Sequence, residues 1–189
     1  MIHLITGHLN EPHVTADNEG AVNVEIFGSG KFAFEKGRDF ESSVESNNLV
    51  RIYDGLGLFD GRAFEIESGD YEDLTIENGT QGQKRIDLIV FRYSKDAETL
   101  VETITLEVIK GTASETPVQP SYNEGNIEDG DTVVDFPIYA VNLNGIEIES
   151  VEQLFDVKDG IGESLGEITP EEIDELWGSS LEDGDSAEY

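Results

Sequence analysis

Cysteine is absent from this 189-residue chain. Disulfides, thiolate nucleophiles and thiolate zinc sites are therefore excluded, and stability has to come from a packed core or from neighbours. Bases are scarce: 11 Lys and Arg stand against 42 Asp and Glu, for a formal charge of −31. Nucleic-acid affinity rests on neutralising phosphates with Lys and Arg, so a broad phosphate-binding role is ruled out. An anionic membrane surface is disfavoured on the same ground. Such acidity gives solubility and self-repulsion, and it suits partners that carry basic patches. No apolar run approaches the ~18 residues of a membrane span. Met1-Ile2-His3-Leu4-Ile5 is too short for a signal peptide and no Lys or Arg precedes it, so the expected site of synthesis and folding is a cytoplasm. Histidine occurs three times. A Ser-His-Asp site would have to use His3, His8 or His13, and no Gly-x-Ser-x-Gly elbow accompanies them.

What is present is a series of strand signals. Hydrophobic residues make up 37% of the chain and mean hydropathy is −0.34, enough for a real core with much wet surface. The length suits one substantial domain with appendages, or two very small ones. Val22 to Phe27 alternates and ends at Gly28-Ser29-Gly30; Phe32 and Phe34 alternate with Lys31, Ala33 and Glu35. Phe40 to Val44, Leu49 to Tyr53, Ala63 to Glu67 and Tyr71 to Glu77 follow, with Gly, Asn and Asp at the breaks. Ile86 to Tyr93 is rich in branched and aromatic residues, and a polar tip at Ser94-Lys95-Asp96 leads to a return strand, Leu100 to Ile109. Phe136 to Leu143 is the last strong strand. Short strands at this spacing, with no helical patterns of 10–15 residues between them, predict an all-β fold: an antiparallel β-sandwich or barrel-like domain.

Three parts are expected. Residues 1–20 read as an N-terminal arm, 21–157 as a β-rich structural domain, and 158–189 as a linker, a short helix and an acidic tail. The helix, about 169–177, has Thr169 as N-cap, Pro170 at its first position and Glu172 at its third, with Gly178 as a stop. Ile173, Leu176 and Trp177 fall on one face. A helix this short needs something to dock on, so these three residues are candidate protein-interface anchors.

The ordered series Arg85-Ile86-Asp87-Leu88-Ile89-Val90-Phe91-Arg92-Tyr93, a hairpin, Val108-Ile109-Lys110-Gly111-Thr112, Pro117 and Pro120, then Pro137-Ile138-Tyr139-Ala140-Val141-Asn142-Leu143-Asn144-Gly145 resembles a domain of bacteriophage tail and baseplate proteins. The first half is similar to proteins of the same kind from tail-gene clusters of phages and prophages of Gram-positive bacteria. It does so through His13 to Asp17, Asn47 to Ile52, Asp54-Gly55, Gly61-Arg62 and Tyr71 to Gly82. The resemblance covers roughly residues 1–157. It implies a tail-tip, baseplate or fibre-attachment component of a virion, with other tail and baseplate proteins as partners. By analogy with fibre-linked proteins it implies a homo-oligomer, a trimer first, and it supplies no catalytic residues. The other reading is a receptor- or glycan-binding module of the same particle; a tail-associated cell-wall hydrolase is a third, more distant one.

Several constellations have a bland and a sharp reading. His3, His8 and His13 recur every five residues, a spacing that puts them on one face neither in an extended arm nor in a helix. His8, His13 and Asp17 are conceivable metal ligands, but an interface arm whose histidines make ordinary hydrogen bonds is the bland reading. Glu128-Asp129-Gly130-Asp131 and Glu182-Asp183-Gly184-Asp185 lack the ligand order of a calcium loop, although Asp129, Asp131 and Asp135 can offer oxygens at a turn. Carboxylate pairs at glycosidase separation must occur by chance in so acidic a chain, and sequence selects none. No catalytic, cofactor or metal site is therefore assigned. Arg62, Arg85 and Arg92 are cations in a sea of acid: salt-bridged surface groups, or, more sharply, bidentate partners across a subunit boundary, with Arg85 and Arg92 the candidates. Asp87, inside an apolar strand, should face solvent or accept hydrogen bonds from a neighbouring loop.

Overall fold

A computed structural model describes residues 14–159. The three histidines, the helix expected near 169–177 with Ile173, Leu176 and Trp177, and the acidic tail lie outside the described residues. Within them the chain forms one helix, α1 (Ala16–Phe27), and nine strands: β1 (Lys31–Phe34), β2 (Ser42–Ser46), β3 (Leu49–Phe59), β4 (Arg62–Thr75), β5 (Lys84–Lys95), β6 (Glu102–Ile109), β7 (Val133–Asn144), β8 (Glu147–Gln153) and β9 (Val157–Lys158).

Two sheets result. The first carries β4 on one side of β3, β2 and β1 on the other, and β9 beyond β1; the second runs β6-β5-β7-β8. All pairings are antiparallel except β1 with β9. Aromatic side chains bridge the two inner faces: Phe64 meets Phe91 edge-on at 4.6 Å, Phe40 meets Phe91 at 5.0 Å, and Phe59 meets Phe136 at 5.9 Å. Ring contacts of this kind add to the burial that already drives sheet-on-sheet packing. The all-β class holds, with the sandwich arrangement expected from the strand spacing.

Three sequence expectations need correction. Val22–Phe27 is helical, not a strand, and the helix starts inside the expected arm. Thr15 accepts a hydrogen bond from the Asn18 N–H, Asp17 and Glu19 occupy the first turn, and the Gly28 N–H closes the last turn on the Val24 carbonyl. These end signals outweigh an accidental two-residue alternation.

The second correction is β3, which runs on through Asp54-Gly55-Leu56-Gly57 where a turn was expected. The glycines there serve ring packing. A Cβ on Gly57 would lie 2.6 Å from Phe64 Cζ, and one on Gly55 would lie 2.6 Å from the Phe40 nitrogen. The third is Phe40 itself. It is no strand residue but a fully buried turn residue with φ of 58°, and its ring fills the core.

Ala63–Glu67 and Tyr71–Glu77 join into the single strand β4. Its register against β3 jumps from Gly55↔Ile66 to Tyr53↔Tyr71, so residues 67–70 bulge outward opposite Asp54 alone. Pro137 sits inside the central strand β7, which is tolerated because Ile138 is bulged there: Ile89 pairs with Tyr139 and Val90 with Pro137. The strand signals did not single out β8 and β9.

Candidate functional site

Arginine–carboxylate nodes organise the charged groups of this domain. Arg85 and Asp87 sit two residues apart on the core face of β5, and both are buried. Arg85 donates from Nε and Nη2 to the two Asp87 oxygens, each at 2.8 Å, and its guanidinium also reaches the Glu77 and Asn78 carbonyls. Asp87 accepts in turn from the Gly111 N–H at 2.8 Å. A buried carboxylate needs this degree of satisfaction. The Asp87 expectation is met in its second form, by the loop after β6.

Arg92, on the outer face of β5, forks onto Asp135 (2.7 and 3.0 Å) and also pairs with Glu107. Asp135 accepts two further bonds from Asn123, through its N–H and its side-chain amide, each at 2.8 Å. Burial alone would raise the Asp135 carboxyl. The Arg92 guanidinium and the Asn123 donors outweigh it and hold the group below the usual carboxylate range. This node pins the segment between β6 and β7 onto the outer face of the second sheet, where Tyr122 covers Leu88, Val90 and Ala140. The bidentate pairings expected across a subunit boundary are thus found within the chain for both Arg85 and Arg92.

The third node lies between the two sheets. Arg62 at the start of β4 donates to Glu102 at the start of β6 at 2.8 Å, and also meets Asp17 of α1. Lys95 pairs with Glu102 from the other side at 3.3 Å. The Arg62 hydrogen bonds hold Glu102 below its ordinary range against the opposing effect of burial. Gly20 of α1 packs so close to Arg62 that a side chain there would collide with the guanidinium. Next to this node Tyr93 is buried, and its hydroxyl faces the Glu102 carboxylate without making a well-formed hydrogen bond to any described residue. Burial, with the Glu102 charge adding to it, pushes the Tyr93 phenol up to about 12.

Beyond the node the two sheets do not close. β4 and β6 are both edge strands, and between them runs an open groove of about 470 Å³ bordered by Phe64, Ile66, Leu74, Phe91, Ile104 and Leu106. A second hollow of about 340 Å³ continues from it past Tyr93 to Arg62, sharing Phe64 and Ile104. Sequence reading missed this feature. Only the facing of alternate residues on β4 and β6 could have hinted at it, and the pairing of the two sheets is not written in either strand.

The other sequence candidates disperse. Asp129 lies in a 3-10 turn, Asp131 caps the Asn126 N–H at 3.0 Å, and Asp135 is committed to Arg92. No group of three or more His, Asp or Glu placed to hold a metal occurs among the described residues. Among the described residues, none of the helices is long and apolar enough to cross a membrane. An aromatic pair does reach the surface, where Tyr53 and Tyr71 meet at 6.5 Å. The Arg38 guanidinium lies 3.3 Å from the Tyr53 ring centre and that of Arg51 3.6 Å from the Tyr71 ring centre, so each ring already carries a cation. Compared with known proteins, the chain matches no family model and no curated protein.

Proposed function

We propose that this protein is a structural component of a phage tail tip or baseplate, an assembly adaptor between the tail and peripheral fibres. One observation supports this most. The residues that carry the resemblance to tail and baseplate proteins are framework residues: Arg85, Asp87 and Gly111 form one buried knot, Arg92 anchors the loop over the second sheet, and Tyr139 ties the two sheets together. A family signature made of scaffold, with no reactive constellation in it, fits a part whose work is to hold a shape. On this reading the protein resides in the virion after assembly in the host cytoplasm, with tail and baseplate proteins as partners and a homo-oligomer, a trimer first, as its own state. Ile173, Leu176 and Trp177 are proposed to anchor it to a neighbour. Gold-labelled antibody against this chain, viewed on negatively stained particles, should decorate the tail tip. Label confined to lysate debris, with none on particles, would overturn the proposal.

The second reading is a receptor- or glycan-binding module, for which Tyr53 and Tyr71 are the relevant surface. Sugar stacking needs an open ring face, and Arg38 and Arg51 compete for those faces. Glycan-array binding lost in Tyr71→Ala would favour this reading over the adaptor.

A further inference from the structure

The open side of the sandwich goes beyond the adaptor reading and does not depend on it. Cross-strand partners share a sheet face, so the pairings fix which β4 and β6 residues look inward. Phe64 lies opposite Gly57, Glu72 opposite Ile52 and Leu74 opposite Val50, and both Ile52 and Val50 are fully buried. On β6, Ile104 lies opposite Tyr93 and Leu106 opposite Phe91. The core-facing side of each edge strand is therefore apolar, yet in the groove these side chains are only half covered. Glu72 shares that inward face at the groove wall, is exposed, and has no ion pair with any described residue. β4 as a whole carries Glu65, Glu67, Asp70, Glu72 and Asp73; Lys36 pairs with Glu65 and Arg51 with Asp73, which leaves Glu67, Asp70 and Glu72 without an ion pair among the described residues.

Four properties thus coincide. The groove has an apolar floor, its two walls are strands with unpaired outer edges, and its rim is acidic with Glu72 left without an ion pair. At its inner end stands a buried phenolic hydroxyl that touches only the Glu102 carboxylate, with no well-formed hydrogen bond. Unpaired strand edges accept an added strand, with main-chain bonds giving affinity and alternate side chains entering pockets. A second copy of this chain is a poor occupant, because it would bring the same acidic rim against this one. Charge complementarity asks for a cationic guest.

We propose that the β4–β6 groove docks an extended cationic segment of another protein, by strand addition. Apolar side chains at alternate positions of that segment rest on Phe64, Leu74, Ile104 and Leu106. A Lys or Arg between them meets Glu72, and a polar group at one end takes up the Tyr93 hydroxyl.

The test uses the full chain and fluorescence anisotropy with three labelled heptapeptides: Lys-Val-Lys-Ile-Lys-Val-Lys, its Glu-for-Lys twin, and a block-scrambled peptide of the cationic composition. The alternating cationic peptide should bind below ~1 mM and weaken with salt, while the acidic twin should not bind. Glu72→Lys should weaken binding about tenfold, whereas Glu147→Lys, the same charge change on exposed β8, should leave it nearly unchanged. Leu106→Arg, which fills the groove, should abolish binding; the thermal melt of each variant establishes that the fold is intact. The proposal is overturned by no binding of the cationic peptide, by equal binding of the scrambled one, by equal effects of Glu72→Lys and Glu147→Lys, or by self-association in light scattering that Glu72→Lys abolishes, which would assign the groove to a second copy. Tenfold tighter binding by Leu4→Ser/Ile5→Ser would also overturn it, by making the chain's own first residues the occupant.

Discussion

The Tyr139 hydroxyl donates to the carbonyl oxygen of Phe40 at 2.9 Å, joining the central strand of one sheet to the left-handed turn that precedes β2 in the other. The bond is buried, and the Tyr139 ring packs edge-on against Phe155 at 5.7 Å. Tyr139→Phe keeps the ring and strands the Phe40 carbonyl. The expected cost is about 1–2 kcal/mol in urea unfolding, with an unchanged denaturant slope. A neutral result would mean that the carbonyl finds water in its place.

The Arg85–Asp87 pair behaves differently from a surface bridge. Asp87→Ala leaves a buried guanidinium uncompensated and strips the Gly111 N–H of its acceptor, so a loss of about 3–5 kcal/mol is expected. Arg85→Met/Asp87→Leu together should lose less than the single Asp87 variant, because no charge then remains buried. Chemical denaturation of the three proteins measures this. A double variant worse than Asp87→Ala would show that the contacts of Arg85 to the Glu77 and Asn78 carbonyls dominate.

Two groups give opposite pH signatures. The folded-state pKa of Asp135 is depressed, so its contribution is complete above the unfolded value of ~3.9 and is lost as pH falls through the folded value. The stability gap between wild type and Arg92→Gln should therefore narrow below about pH 4; comparing the two cancels most of the general relief of repulsion that acid brings. Tyr93 is raised to about 12, so its contribution is complete below ~10 and is lost as pH rises towards 12. Tyr93→Phe should match wild type at neutral pH and exceed it above pH ~10. Thermal melts across both ranges decide. A constant gap at either end would remove that group from the account.

How much of this was legible depended on where the cause of each element lay. β5 and β7 could be read directly, because Ile86 to Tyr93 and Phe136 to Leu143 bear the residues a buried strand needs along their whole length. α1 was hidden because Val22 to Phe27 satisfies a strand period by chance, while its cap at Thr15 fell in a stretch read as arm. The course of β3 through Gly55 and Gly57 could not be read locally at all. Those glycines answer to the Phe40 and Phe64 rings, which arrive from elsewhere in the chain. For the same reason the Arg62–Glu102 contact and the groove beside it belong to the meeting of two sheets rather than to any segment.

Gly57→Ala tests that explanation. Its Cβ would stand 2.6 Å from Phe64 Cζ and 3.2 Å from Phe40 Cε2, so one ring must move, at a cost of about 1–3 kcal/mol. Adding Phe64→Leu, which vacates the space, should restore part of the loss. Failure of the second change to rescue the first would place the cost in the backbone instead.

The chain reaches residue 158 along the flank opposite the groove, since β9 lies beyond β1 while β4 lies on the far side of β3. That attachment consists of two paired positions, Ala33 with Val157 and Phe34 with Lys158, helped by the Lys158 ammonium 3.6 Å from the Phe32 ring centre. The β5–β7 ladder, by contrast, spans eleven paired positions, from Lys84 to Ser94. Tension applied through whatever follows residue 158 is carried first by the short seam. It should unzip β9 while the aromatic core stays loaded but whole. An optical trap would register that as a small first step at low force, well before the rupture of the domain. In mechanical terms β9, the last strand among the described residues, is a shock absorber on the flank of a stiff body.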